Sequence, residues 1–284
     1  MNLPLNVDLN GKVAVVTGAG GVLCSDFARA IALSGAKVAL LDINLEAAEK
    51  NAADIRSEGG NAIAVKANCL DKASLEEAKA IVDKELGACD ILINGAGGNN
   101  PKATTANEYF DIDAMENPDV QDFFSLSADG FKFVFDLNVT AAFLTTQVFA
   151  RDMAKSGKGG SILNISSMNA FRPLTKIPAY SAAKSAVSNF TQWLAVHFAN
   201  AGIRVNAIAP GFFVSNQNRA LLFNPDGTPT PRTGKILGGT PMKRFGESEE
   251  LLGGLLFLLS DAASSFITGV VLPIDGGFSA YSGV

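Results

Sequence analysis

Ser167, Tyr180 and Lys184 combine side-chain types and spacing that suit proton transfer: a hydroxyl thirteen residues ahead of a phenol, and an amine four residues after it. Helical positions four apart share a face, about 5–6 Å apart at Cβ, so the Lys184 ammonium reaches beneath the Tyr180 phenol. A free phenol has a pKa of about 10 and a nearby cation favours the phenolate, which predicts a tyrosine drawn toward working pH, able to act as general acid or base. Ser167 follows the apolar run 161–165 and is expected at a strand's carboxyl end, where its hydroxyl holds a substrate oxygen beside Tyr180. Ser166 competes for that role, but strand alternation turns its side chain to the other face.

These residues need a scaffold, and a chain of 284 residues that is 48% hydrophobic can bury a large core. Short apolar runs alternate with longer amphipathic segments to the end, with no linker, repeat or low-complexity tract. We read one α/β domain spanning residues 1–284: a doubly wound, seven-stranded parallel sheet of the Rossmann type with helices on both faces. The strand 12–16 leads through Thr17, Gly18, Gly20 and Gly21 into a helix over 22–33 that begins with Val22 and Leu23. Glycines there let the backbone approach a pyrophosphate, and the helix N-terminus supplies free N–H groups. The second strand, 37–41, ends at Asp42, placed to accept hydrogen bonds from both adenosine ribose hydroxyls and to repel a 2′-phosphate, so NAD(H) is expected over NADP(H). Asn44 caps the helix over 45–58.

The third strand, 61–67, ends at Asn68 and Cys69, and the fourth, 88–93, runs into Asn94, Gly95, Ala96 and Gly97. Residues 98–127 then make a polar, acidic connection far longer than the 2–6 residues usual in an α/β unit, which marks a substrate-side excursion. A helix over 128–154 carries Asn138, and the helix over 179–201 buries the stripe Ala183, Val187, Phe190, Leu194 and Phe198. The sixth strand, 203–209, closes on Pro210 and Gly211. A proline-, glycine- and cation-containing stretch, 212–247, reads as a lid. A helix over 248–260 and a strand over 269–274 complete the sheet, and the apolar tail from Asp275 is expected to dock on a neighbouring subunit.

Thr17-Gly18-Ala19-Gly20-Gly21, Asn94-Gly95-Ala96-Gly97, Asn138, Ser167, Tyr180-x-x-x-Lys184 and Pro210-Gly211 together resemble the short-chain dehydrogenase/reductase family over nearly the whole chain. The resemblance implies NAD(P)-dependent oxidation of an alcohol or reduction of a ketone, with Asn138, Ser167, Tyr180 and Lys184 catalytic. It implies that Asn68 contacts the adenine, that Asn94 to Gly97 lie along the cofactor, and that Pro210, Gly211, Phe213 and Ser215 hold the nicotinamide carboxamide. Val22 and Cys24 depart from the family's second and third glycines; Gly20 and Gly21 compensate one place early, and Cys24 packs the helix on the sheet.

Gly97-Gly98-Asn99-Asn100-Pro101, the lid segment Gln217-Asn218-Arg219 and the Gly-Gly-Phe-Ser-Ala-Tyr-Ser-Gly-Val end further resemble the short-chain type of D-mannonate oxidoreductase (fructuronate reductase). That resemblance implies a sugar-acid substrate, with Asn99, Asn100, Lys102, Ser167, Asn169, Asn218 and Arg219 as its contacts. Amide-rich loops suit a polyhydroxylated ligand. Arg219 is the first choice for the substrate carboxylate, with Lys102, Arg172, Lys176 and Arg232 as rivals. A gluconate 5-dehydrogenase or another polyol dehydrogenase stays open, as does a dinucleotide-binding regulator without turnover. Net charge of −5 with interspersed signs disfavours nucleic acid and anionic membrane as partners. The amino-terminal segment lacks a signal peptide's pattern, no apolar run approaches the roughly 20 residues of a spanning helix, and three cysteines give no disulfide framework, so a cytoplasmic homo-oligomer, dimer or tetramer, is expected. One histidine, His197, and no Cys-x-x-Cys leave no metal site expected.

Overall fold

Seven short aliphatic runs form the strands β1 (Val13–Thr17), β2 (Lys37–Asp42), β3 (Asn61–Lys66), β4 (Ile91–Asn94), β5 (Gly160–Ile165), β6 (Ile203–Pro210) and β7 (Val271–Ile274) of the computed structural model, which describes residues 7–214 and 219–283. All pair in parallel, in the order β3-β2-β1-β4-β5-β6-β7. The chain leaves β1 toward one edge and returns at β4 on the other side, so a crevice opens between them above the strands' carboxyl ends.

Helices cover both faces, as the alternation of β1 records: Ala14 and Val16 belong to one core cluster, Val13 and Val15 to the other. α1 (Val22–Leu33) buries Phe27 and Ile31 on the first face, with α2 (Leu45–Ser57) beside it. α3 (Lys72–Glu85) and a long helical run over Ala128–Ser156 cover the second, where Leu75, Val82, Phe149 and Met153 are buried. Each such side chain removed from water contributes about 1.5–3 kcal/mol. Asn44 caps α2 by accepting from Ala47 N–H at 3.2 Å, and Asp71 caps α3 through Ala73 N–H at 3.0 Å.

The long run is not the uniform helix expected over 128–154. It divides into α4 (Ala128–Phe135), a π turn (Asp136–Thr140) and α5 (Ala141–Ser156). At 29 residues it is also long and apolar enough to cross a membrane by length and composition, contrary to the sequence expectation, although half of its most apolar window is buried inside the fold. Charged residues such as Lys132, Asp136 and Arg151 had interrupted the pattern in the sequence.

α6 (Pro178–His197) follows β5. The lid segment contains α7 (Arg219–Leu222) and α8 (Pro231–Gly239), the latter capped by Thr230. α9 (Leu252–Leu259) precedes β7. The tail docks on its own chain: Arg172 Nε donates to Ser279 O at 2.8 Å, Phe278 meets Phe212 edge-on at 5.3 Å, and Asp275 accepts from Gly277 and Ser279 N–H.

Candidate active site

The carboxyl ends of the strands open into a crevice of about 820 Å³, walled by the glycine loop, Asp42, Asn68, Cys69, Gly95 to Gly98, Phe133, Leu137, Ser167, Tyr180, Lys184 and Pro210 to Phe213. Its volume lies within the usual range for a small-molecule site.

Thr17 lies under the glycine loop. Its hydroxyl donates to Ile93 O at 3.2 Å and accepts from Gly95 and Ala96 N–H at 3.0 and 3.2 Å, tying β1 to the turn after β4. Gly18 has φ +68°, and a Cβ on it would stand 3.0 Å from Ala96. Gly20 runs so close to Asp42 that a Cβ would stand 2.9 Å from the carboxylate carbon, and its N–H donates to Asp42 Oδ2 at 2.9 Å. The other Asp42 oxygen accepts from Asn44 N–H at 2.8 Å, so the carboxylate is fixed, and its remaining lone pairs are open to a ribose. α1 starts at Val22 behind Gly21, which gives no side-chain cap, and its first N–H groups are left for an anion. A close backbone, an uncapped helix start and a fixed carboxylate fit a dinucleotide. Cys24 packs as expected: it is buried, burial pushes its thiol up to about 12, and its sulfur stands where a Cβ on Gly95 would have to be.

Ser167 ends β5 with its side chain 7% exposed, and its hydroxyl accepts from Asn169 N–H at 3.2 Å. Ser166 turns the other way, onto Ser188 Oγ at 2.7 Å and Lys184 O at 3.2 Å, as strand alternation requires. Lys184 is 4% exposed, donates to Ile165 O at 2.8 Å and lies 5.5 Å from the Tyr180 ring centroid. Burial pushes the Lys184 ammonium down to about 8. The Tyr180 phenol is not drawn down by Lys184 as the sequence suggested: burial raises it, and the Ser167 hydroxyl pulls it back in part. The reason is geometric, because the ammonium sits under the ring and is spent on a backbone carbonyl.

Asn138 stands inside the π turn, where Ala141 N–H reaches back to Asp136 O. Its Nδ2 donates to Val134 O and to Gly98 O, both at 2.7 Å, and its Oδ1 accepts from Gly98 N–H at 3.3 Å. The side chain thus clamps the excursion's first residues over the helix. A Cβ on Gly97 would stand 2.7 Å from Asn138 Oδ1 and 3.2 Å from Lys184 Nζ, so that backbone passes close over both.

Other expected contacts are placed differently. Asn94 turns into the protein and donates to Thr146 Oγ1 and Asn164 Oδ1, bracing the sheet. Asn68 lines the crevice, although its Oδ1 accepts from Leu70 N–H at 3.0 Å. Asn99, Asn100, Lys102, Asn169 and Arg219 do not line the crevice. Asn99 bonds Thr104, Asn100 caps the short turn Pro101–Ala103, and Lys102 is exposed on that turn. Arg219 lies over the Phe223 ring at 5.4 Å. Asn169 is 3% exposed and its Oδ1 has no partner. Ser215 and Asn218 fall outside the described residues. Phe133 and Leu137 line the crevice and were not anticipated, though their spacing of four ahead of Asn138 was a helical signal. Asn164, a buried amide midway in an apolar strand, was likewise readable but passed over; its Nδ2 reaches Thr191 Oγ1 at 2.9 Å.

Known proteins carry the same pattern. Residues 12–223 match the family model described as short chain dehydrogenase. An uncharacterized oxidoreductase of Haemophilus influenzae is 59% identical over 284 residues, covering 100% of this chain and 99% of that protein. A crystal structure from the same species, provisionally named D-mannonate oxidoreductase and holding bound NAD, superimposes with a TM-score of 0.94 at 59% identity over 100% of both chains. A gluconate 5-dehydrogenase of Burkholderia cenocepacia, in complex with NADP and tartrate, superimposes with a TM-score of 0.82 at 30% identity, covering 98% of this chain and 99% of that one. Over a match of this extent, a catalytic scaffold and not the fold alone is shared, and the chain belongs to the short-chain dehydrogenase family, whose members oxidise CH–OH groups with NAD or NADP.

Proposed function

We propose that the protein is an NAD(H)-dependent oxidoreductase interconverting a sugar-acid alcohol and its ketone, with D-mannonate and D-fructuronate as the pair. The observation that carries the reaction is the convergence of Ser167, Tyr180 and Lys184 on one crevice. Tyr180 donates a proton to the carbonyl oxygen in reduction and removes it in oxidation, and the Ser167 hydroxyl orients that oxygen. Lys184 holds the nicotinamide ribose, and Asn138 keeps the Gly97-Gly98 backbone in place above it. The bound dinucleotide supplies or accepts the hydride. Asp42, whose fixed carboxylate stands at the end of β2, favours a ribose with a free 2′-hydroxyl over one carrying a phosphate.

For the substrate, the likeness to the NAD-bound Haemophilus protein supports D-mannonate. The Asn169 Oδ1, buried without a partner two residues after Ser167, supports a hydroxylated ligand, because an unpaired buried acceptor costs about 1–3 kcal/mol until something donates to it. A gluconate 5-dehydrogenase activity is the second reading, favoured by the likeness to the Burkholderia enzyme. A homo-oligomer belongs to the same proposal: Phe143, Trp193 and Val196 are exposed on α5 and α6, with rings stacked through Phe190. Initial rates with NADH against keto-uronates, keto-aldonates and neutral ketoses test the reading. D-Fructuronate as the best substrate is the expected result; a preference for 5-ketogluconate turns the reading to gluconate, and no turnover of any of them refutes the enzyme.

A further inference from the structure

The excursion 98–127 and the lid 212–247 meet at one ion pair. Lys235 of α8 donates to both oxygens of Glu108, at 2.8 and 2.9 Å, across 127 residues of sequence. Glu108 is the sole acid of the excursion in an ion pair among the described residues, although the segment also carries Asp111, Asp113, Glu116, Asp119 and Asp122. The Lys235 ammonium, with Lys176 and Arg232 acting from further off, holds the Glu108 carboxyl below the usual carboxylate range. Arg232 and Lys235 are three apart on α8 and share a face, and Lys176 comes from the connection just ahead of α6. Neither Lys176 nor Arg232 has an acidic partner of its own among the described residues.

The cluster stands on the substrate side of the crevice, at the opposite end from Asp42 and the glycine loop. Ala103 packs with Ala179, Ala183 and Tyr180, and Thr105 N–H donates to Lys176 O at 2.8 Å. The strand of loop that delivers Glu108 therefore runs along the start of the helix that carries Tyr180. Gln121 fastens the loop's far end, its Nε2 donating to Pro101 O at 2.8 Å and Thr104 O at 2.6 Å.

We propose that Lys176, Arg232 and Lys235 form the anion site that reads the carboxylate of an acid substrate, and that Glu108 occupies this site until the substrate displaces it. The inference rests on the acid-substrate reading above. It replaces Arg219 and Lys102, whose side chains the structure places over a phenyl ring and on an exposed turn. Exchanging one carboxylate for another asks little of the cations, which are already gathered and oriented. A neutral ketose has nothing with which to displace Glu108, so the site discriminates acid from neutral ligand while the same exchange frees the loop from the lid.

Steady-state kinetics at saturating NADH test this with Glu108→Gln, Lys235→Gln and the double variant, on D-fructuronate and on D-fructose. Both residues are at the surface and melting curves check that each variant folds. Glu108→Gln should lower the acid KM threefold or more and leave the fructose KM within twofold. Lys235→Gln should raise the acid KM tenfold or more, beyond any change on fructose, and the loss should persist in the double variant. Glu108→Gln and Lys235→Gln acting alike, and equally on both substrates, would mean a structural tie and overturn the proposal. A parent that reduces the acid while Glu108→Gln leaves the acid KM unchanged overturns the proposal but keeps the acid reading. A parent that reduces only neutral ketoses overturns both.

Discussion

Lys184 is held where an ammonium is costly, and its replacement by methionine makes that cost measurable. Burial takes its pKa from 10.5 to about 8. At about 1.36 kcal/mol per unit, this corresponds to about 3 kcal/mol of native-state destabilisation. Below pH 8 the amine is protonated in both folded and unfolded chains and the full cost is present. Between 8 and 10.5 the unfolded chain binds a proton that the native state has released, so the parent gains stability as pH rises; above 10.5 the cost is gone. Lys184→Met keeps an unbranched stem and deletes the charge, but loses the bond to Ile165 O, worth about 1 kcal/mol. The variant should therefore be about 2 kcal/mol more stable than the parent at neutral pH, with the advantage shrinking and then reversing toward pH 10. Urea unfolding of both chains without dinucleotide, at several pH values, gives the difference directly, and every group shared by the two chains cancels. A variant less stable than the parent at neutral pH, or a difference that ignores pH, refutes the reasoning. A gain in stability with loss of turnover would show a lysine kept for function.

Tyr180→Phe keeps the ring and removes the transferable proton, so turnover should fall by about 10²-fold or more with NADH affinity, read by fluorescence titration, nearly unchanged; a variant within threefold of the parent ends the assignment. Asp42 should give at least tenfold preference for NADH over NADPH, about 1.4 kcal/mol, and Asp42→Ser should erase it. Equal kcat/KM for the two cofactors in the parent contradicts this. Gly97→Ala puts a Cβ 2.7 Å from Asn138 Oδ1 and 3.2 Å from Lys184 Nζ, and should lose about 1–3 kcal/mol of stability together with at least tenfold in kcat. Parent-like melting and turnover would show that the backbone there has slack.

What was legible in the sequence was whatever a short stretch decides by itself. Aliphatic runs placed the strands within a residue or two for most of the sheet, since burial on both faces demands them. The glycine turn, Asp42, and the Ser167, Tyr180 and Lys184 set each follow from local geometry at a strand end or along one helix. What escaped notice lies between distant stretches or in a departure from regular form. Glu108 and Lys235 are 127 residues apart, and each alone reads as a solvated charge. Arg172, a rival for the substrate carboxylate, meets Ser279 O, 107 residues away. Asn99 and Asn100 look like ligand-binding amides but satisfy their own turn, because a short Asn side chain finds nearby backbone first. The Tyr180 argument identified the right neighbours and the wrong sign, since spacing along a helix does not report how dry the site is.

The π turn at Asp136–Thr140 makes this helix intolerant of changes in length. It amounts to one residue wound into the helix beyond what regular α geometry holds. Remove any single residue between 136 and 140 and the helix heals to regular form, but α4 then turns by about 100° against α5. Val134 would leave the cluster it shares with Ala103 and Ala179, and Phe133 and Leu137 would swing off the crevice wall. The loop over 107–120 could gain or lose residues at far smaller consequence, because its backbone bonds are mostly to itself. Single-residue deletions scanned along the chain should thus find a rigid register inside a helix, where point substitutions would suggest only an ordinary core position, and a permissive one a few residues upstream.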